Sequence, residues 1–173
     1  MELKAKKIFL IGFMGSGKSS MGRMLADLAG LPFVDMDEVV EKETGMVISE
    51  IFKTRGEAHF RNIEHEVLLN LIEGEPSVIA TGGGVPCFMD HMELMKTAGT
   101  VVYMRATPDE LYEWLEEFKG DRPLLQGLQG EALKEWITAE LSIREPYYLQ
   151  ANLSIEAYHT SPKELLIQLT MDN

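Results

Sequence analysis

With 173 residues, 45% of them hydrophobic and 25% charged, the chain has the composition of a soluble globular protein with room for a sizeable core. Its 28 acidic and 16 basic side chains leave a formal charge of -12, which argues against nucleic acid or an anionic membrane as partner, since either calls for a basic footprint. A single cysteine, Cys87, excludes an intramolecular disulfide and a zinc ribbon and reads as a buried thiol in a reducing compartment. The apolar stretch 8–14 follows Lys4, Lys6 and Lys7 but is far shorter than the roughly 20 residues of a spanning helix. Because Gly15-Ser16-Gly17-Lys18 comes next, it reads as a buried strand entering a glycine loop rather than as a signal peptide, and a cytoplasmic location is expected.

Five short apolar runs bounded by turn signals are predicted strands: 7–11, 32–34, 77–81, 100–104 and 153–155. The first, third and fourth are continuous rather than alternating, as in parallel strands covered on both faces. Helical patterns lie between them, over 18–29 and over 56–72, where Phe60, Ile63, Val67, Leu68 and Leu71 share one face. Thr107-Pro108-Asp109-Glu110 has the form of a capping box with proline at the first helical position, and Ser161-Pro162-Lys163-Glu164 repeats it before the last helix. Two stretches interrupt the alternation. Residues 37–58 carry short helical patterns, and 118–130, with Gly120, Pro123, Gly127 and Gly130 between two helices, is a candidate lid. No internal repeat, linker or low-complexity segment is visible, so the expectation is one α/β domain over 1–173 with a mostly parallel sheet.

Gly12-Phe13-Met14-Gly15-Ser16-Gly17-Lys18-Ser19 satisfies the P-loop pattern, with a strand before it and a helix after it. Glycines let backbone N–H groups turn toward phosphates, and the helix N-terminus adds positive potential. Lys18 would reach the β- and γ-phosphates of a nucleoside triphosphate and Ser19 would ligate magnesium. No Asn-Lys-x-Asp run reads guanine, and the chain is short for a motor ATPase, which leaves mainly small-molecule kinases.

Three clusters could build the acceptor site. Asp35 and Asp37 end the second strand, at the edge of a parallel sheet where ligands gather; if the strand persists, both point to one side. One could help hold magnesium and the other accept the proton of a substrate hydroxyl, while helix capping is the competing reading. On the amphipathic helix, Glu64 stands three residues after Arg61 and could orient its guanidinium, with Glu57 competing as a structural partner. Thr81-Gly82-Gly83-Gly84 follows the third strand and allows close approach to backbone N–H groups. Arg122 falls in the candidate lid. Arg144 ends a helix just before Pro146, where it could cap carbonyls or supply a second guanidinium for a substrate carboxylate.

Taken in order, Gly12–Ser19 with Asp35-x-Asp37, Phe60-Arg61-x-x-Glu64, Thr81-Gly82-Gly83-Gly84, Arg122-Pro123-Leu124-Leu125 and Arg144-x-Pro146 resemble the motifs of the shikimate kinase family over nearly the whole chain. The resemblance implies a nucleoside-monophosphate-kinase-like three-layer α/β/α fold with a five-stranded parallel sheet and a lid. It implies transfer of the ATP γ-phosphoryl group to the 3-hydroxyl of shikimate, in aromatic amino-acid biosynthesis through chorismate, with one Mg2+ ion. By the same resemblance Gly15, Ser16, Gly17, Lys18, Ser19 and Ser20 hold ATP, and Ser19 and Asp35 attend the metal. Asp37 holds shikimate hydroxyls and is the candidate base. Arg61, Gly83 and Arg144 bind shikimate, flanked by Gly82 and Gly84, with Phe52 and Phe60 lining the pocket. Arg122 matches the lid arginine that reaches the phosphates and, with Lys18 and Asp37, completes the catalytic set; the shikimate-binding segment is placed at about 37–61. A monomer is expected.

The chain departs from the family at the lid start, where an adenine-stacking arginine is usual and Leu115, Glu116, Glu117 and Phe118 stand, with Lys119 after them. His159-Thr160-Ser161-Pro162 aligns with the adenine loop, although its capping box accounts for it alone, and Tyr147 replaces a usual leucine. His59, His65, His91 and His159 show no ligand spacing and read as surface or satisfied residues, and the 11 methionines read as core filling. Competing readings are a gluconate-type kinase, whose substrate also bears a carboxylate and hydroxyls, a nucleoside monophosphate kinase, and a silent ATP-binding module. The last would be marked by loss of Lys18, Asp37 or a guanidinium, and all are present.

Overall fold

The computed structural model describes residues 7–118 and 125–171, so Arg122 and most of the first half of the candidate lid lie outside the described residues. Five strands, β1 (Lys7–Ile11), β2 (Phe33–Asp35), β3 (Ser77–Ala80), β4 (Thr100–Arg105) and β5 (Leu153–Glu156), form one sheet in the order β2-β3-β1-β4-β5, every pair parallel. The described helices are α1 (Lys18–Ala29), α2 (Met36–Thr44), α3 (Ile48–Glu73), α4 (His91–Ala98), α5 (Pro108–Glu117), α6 (Gly130–Tyr148) and α7 (Pro162–Thr170), with a 3-10 turn at Val85–Cys87.

Strand residues are apolar on both sides because both sides are covered. Ile8 and Leu10 of β1, Val78 of β3, and Val102 and Met104 of β4 pack with Met21, Leu25 and Ala26 of α1 and with Leu165 and Leu169 of α7. Their neighbours Phe9, Ile11, Ile79, Val101 and Tyr103 face the opposite layer, built from α3, α4, α5 and α6. The two-residue period thus divides one continuous apolar run between two cores, the signature of a parallel sheet between helical layers.

Several boundaries differ from the sequence expectation. The strand carrying Asp35 ends there, and α2 starts at Met36 because the Asp35 carboxylate accepts a bond from Asp37 N (3.0 Å) and caps the helix. Asp37 therefore stands in the first turn of a helix rather than on an extended strand. Helix α3 begins at Ile48, ahead of the expected 56, and is broken at Gly56 (φ 80°, ψ 170°), where the predicted helix begins. Helix α6 does not stop before Pro146 but runs on to Tyr148, because Leu141 and Tyr148 are both buried and anchor the last turns in the core. Both capping boxes, at Thr107 and Ser161, are formed with their glutamates. Cys87 is half-buried rather than buried.

Strand register positions the functional edge. Leu10 pairs with Ala80, and Ala80 pairs with Asp35, so β1, β3 and β2 reach their carboxyl ends in one row. With strands about 4.8 Å apart, the segments leaving this row emerge side by side. Among the described residues no helix is long and apolar enough to cross a membrane. At the opposite end of the sheet, a methyl group on Gly99 would run into the Lys7 backbone carbonyl. Gly99→Ala is accordingly expected to destabilise the chain by roughly 1–3 kcal/mol through overpacking, measurable as a lower midpoint in denaturant at unchanged slope.

Candidate active site

The P-loop turns from β1 into α1. Gly12 sits at φ 145°, and a side chain there would come within 2.7 Å of the Met104 carbonyl oxygen, so the loop must begin with glycine. Gly17, in the left-handed region, is the N-cap of α1, no side chain among the described residues caps that end, and the positive end of the helix faces the loop. Lys18 Nζ lies across the loop, donating to the carbonyls of Gly12 (2.8 Å) and Phe13 (2.9 Å). Ser16 Oγ is buried and has no hydrogen-bond partner among the described residues. Ser19 donates its hydroxyl hydrogen bond to Asp35 Oδ2, and Ser20 is exposed in the first turn of α1. Tyr158, from the segment after β5, donates to the Gly15 carbonyl, while Trp114 and Leu115 of α5 pack over Gly15.

Beside the loop lies a cavity of about 510 Å³, within the range of small-molecule sites. Asp35, Asp37, Phe52, Phe60, Arg61, Glu64, the glycine run 82–84 and Arg144 all line it, as do Met14 and Phe118. Arg61 is only 7% exposed; its Nη1 donates to Glu64 Oε2 (2.6 Å) and its Nη2 to Glu57 Oε1 (3.1 Å), so both carboxylates that competed on spacing bind it at once. Its Nε is buried without a hydrogen-bond partner among the described residues. The guanidinium lies over the Phe88 ring at 4.3 Å.

The glycine run fits between the two arginines because it has no side chains. A methyl on Gly84 would lie 2.5 Å from Arg61 Nη1, and one on Gly82 would lie 2.7 Å from Glu64 Oε1 and 3.3 Å from Asp37 Oδ1. At Gly83 the added carbon would meet Arg144 Nη1 at 3.5 Å and Met14 N at 3.4 Å, which marks the junction with the P-loop. Arg144 is 9% exposed, paired with Glu140 (3.0 Å) and set over the Phe13 ring at 5.4 Å. Tyr148, one turn further along α6, donates to the Gly83 carbonyl (2.6 Å).

Burial raises the Glu64 carboxyl to about 7, against the lowering effect of the adjacent Arg61 and with a further upward push from Asp37. Burial likewise holds the Cys87 thiol up at about 11, so it stays protonated and unreactive at neutral pH.

The structure thus brings together Gly15, Ser16, Gly17, Lys18 and Ser19 on the loop, and Asp35, Asp37, Arg61, Gly82, Gly83, Gly84 and Arg144 around the cavity. Sequence patterns did not point to Tyr148, Tyr158 or Trp114, and Phe118, expected at the lid start, lines the cavity. Tyr148 stands four residues after Arg144 and shares its helix face, a signal hidden by ending the helix before Pro146. The contact of Tyr158 with Gly15 spans 143 residues and leaves no local trace.

A phosphate loop on the central strand of a parallel sheet, opening onto a two-arginine cavity, defines a P-loop kinase of the nucleoside-monophosphate-kinase-like class. The sequence model described as shikimate kinase matches residues 14–172. A shikimate kinase of Parabacteroides distasonis is 44% identical over 152 residues, 88% of each chain. The crystal structure of shikimate kinase from Bacteroides thetaiotaomicron superposes with a TM-score of 0.87 at 37% identity, covering 94% of this chain and 95% of that one. That of Acinetobacter baumannii, in complex with shikimate, gives 0.85 at 35% identity over 96% and 91%. The chain belongs to the shikimate kinase family.

Because the Glu64 carboxyl titrates higher in the folded chain than its ordinary value of 4.5, the folded state binds its proton more tightly and stability falls as pH climbs from about 4.5 to about 7. In Glu64→Gln this titration is absent. The unfolding free energy of the variant relative to the parent should therefore rise between those pH values and level off above about 7. Denaturant titrations across that interval test it, and a flat difference would show that Glu64 ionises normally.

Proposed function

We propose that this chain transfers the γ-phosphoryl group of ATP to the 3-hydroxyl of shikimate, giving shikimate 3-phosphate and ADP in the route to chorismate. The observation that carries this reading is the cavity itself: two nearly buried guanidiniums, Arg61 with an unpartnered Nε and Arg144, flank a glycine run directly against the P-loop. A carboxylate bearing hydroxyls complements these groups, offering an anion to the two guanidiniums and O–H donors to Asp37.

In this reading Gly15, Ser16, Gly17, Lys18, Ser19 and Ser20 hold the nucleotide, and the Ser16 hydroxyl, without a hydrogen-bond partner among the described residues, fits a phosphate oxygen. Lys18 carries its positive charge from the loop carbonyls to the transferred phosphoryl group. Arg61 and Arg144 fix the acid end of the acceptor, with Gly82, Gly83 and Gly84 letting its ring approach the backbone. Asp37, at the cavity wall, orients the acceptor hydroxyl and takes its proton. Such anchoring at one end turns the encounter of hydroxyl and γ-phosphate into a positioned, in-line event. The Ser19 hydroxyl and Asp35 carboxylate, already hydrogen-bonded, are hard oxygen donors that would hold one Mg2+ ion, which would supply neutralisation of the phosphate charge. Arg122, outside the described residues, is assigned to the phosphates by family resemblance. The same reading takes 1–173 as one domain, with an acceptor segment at about 37–61 and a lid at about 118–130, acting as a cytoplasmic monomer without a nucleic-acid partner.

A coupled ADP-release assay with ATP and magnesium, comparing shikimate, gluconate, AMP and no acceptor, is expected to show turnover with shikimate alone. Nucleotide binding with no stimulation by shikimate would leave the P-loop standing and overturn the acceptor. Arg61→Ala is expected to raise the KM for shikimate on the order of 10²-fold while changing that for ATP by less than about twofold. Equal losses for both substrates would remove Arg61 from the acceptor site.

A further inference from the structure

Two histidines that take no part in the chemistry above join the two sides of the cavity. His91 opens α4 and is fully buried. Its Nδ1 lies 2.8 Å from the Val85 carbonyl oxygen and its Nε2 lies 2.9 Å from His65 Nδ1, with the rings stacked at 5.1 Å. A carbonyl oxygen only accepts, so His91 Nδ1 must carry a proton. When His91 is neutral its Nε2 accepts, and His65 then donates from Nδ1. Burial favours the neutral ring, as do the nearby His65 and Arg61 of α3, whereas the Val85 bond and Asp90, at the N-cap of α4, act the other way.

What this pair holds is the turn that continues the glycine run. Val85 N donates to the Gly82 carbonyl (3.1 Å) and Cys87 N to that of Gly84 (3.0 Å), so the Val85 carbonyl belongs to the same folded unit as Gly82–Gly84. His91 N also donates to the Phe88 carbonyl (3.3 Å), and the Phe88 ring covers the Arg61 guanidinium. On the other side, His65 follows Glu64 directly on α3, the helix that carries Arg61.

We propose that His91 is a positioning residue for the phosphoryl acceptor: as a neutral imidazole it pins the turn after Gly82-Gly83-Gly84 to α3 through His65, and so sets the spacing between the glycine backbone and Arg61. The inference rests on the acceptor reading of the cavity given above. The P-loop hangs from β1 and α1, whereas the histidine pair ties the turn after β3 to α3, so its effect falls on the acceptor rather than on the nucleotide.

His91→Leu and His91→Asn separate this role from packing. Leucine fills the site but leaves the Val85 carbonyl and the His65 N–H unpaired, whereas the asparagine amide can still donate to Val85. His91→Leu should raise the KM for shikimate about tenfold, with that for ATP changed less than about twofold, and His91→Asn should return it to within about threefold of the parent. Equal changes in both KM values, no change, or an asparagine variant no better than leucine would each overturn the inference. Side-chain nitrogen NMR of the unaltered protein tests the hydrogen-bonded bridge on which the role depends, even where the leucine variant fails to fold. The expected signature is a protonated Nδ1 and a bare Nε2 at His91, and a proton on Nε2 instead would overturn it. Absence of shikimate turnover by the parent would remove the functional reading and this inference with it. Normal turnover by both parent and variants would remove this inference alone.

Discussion

The buried pair of Arg61 and Glu64 sets the terms for the walls of the cavity. Removing a guanidinium from water is costly unless it is paired and its remaining N–H groups are engaged. Glu64 and Glu57 take two of its nitrogens and the Phe88 ring covers its face, while Nε is buried without a hydrogen-bond partner among the described residues. That concentration of charge leaves no space on the neighbouring strand end, which is why backbone without side chains passes there. A methyl on Gly82 would strike Glu64, and one on Gly84 would strike Arg61. The glycine run is thus a packing consequence of the ion pair.

The nucleotide side is fixed by different means. Here the sheet does the work: β1 is central, its neighbours β3 and β2 end in register with it, and the P-loop, the glycine run and Asp35 leave the same row. Asp35 serves two elements at once, starting α2 with one carboxylate oxygen and accepting from Ser19 of α1 with the other. The approach of Gly83 to Met14 and Gly12 closes the seam between the two halves. One edge of the sheet thereby holds the P-loop beside the two-arginine cavity, and positioning of donor and acceptor is the main thing phosphoryl transfer asks of a protein.

The net charge of -12 opposes the approach of anionic substrates. Distance resolves the conflict. Most of the acidic side chains are solvent-exposed and are screened within about 8–10 Å at ordinary salt. Arg61 and Arg144, by contrast, are nearly buried at the cavity wall, and Lys18 and the N-terminus of α1 stand at the loop. At a few ångströms and in a lower effective dielectric, these local charges outweigh a diffuse field of opposite sign.

Much of this was legible in the chain, wherever the physics is local. The P-loop with its flanking strand and helix, five apolar strand runs and two proline-led capping boxes each depend on a few consecutive residues, and each stands where it was expected. Boundaries failed where tertiary burial overrode propensity. Pro146 lies inside a helix because Leu141 and Tyr148 are anchored in the core, and Asp37 lies on a helix because Asp35 caps it. The four histidines looked alike in sequence, yet two of them, 26 residues apart, form a hydrogen-bonded pair behind the glycine run. Sequence alone determined which groups the chain brings, a phosphate loop, paired carboxylates and guanidiniums, because residue type and short spacing carry that chemistry. Only the tertiary structure decided which of them meet, which are buried and which proton each holds, because those depend on contacts between elements far apart in the chain.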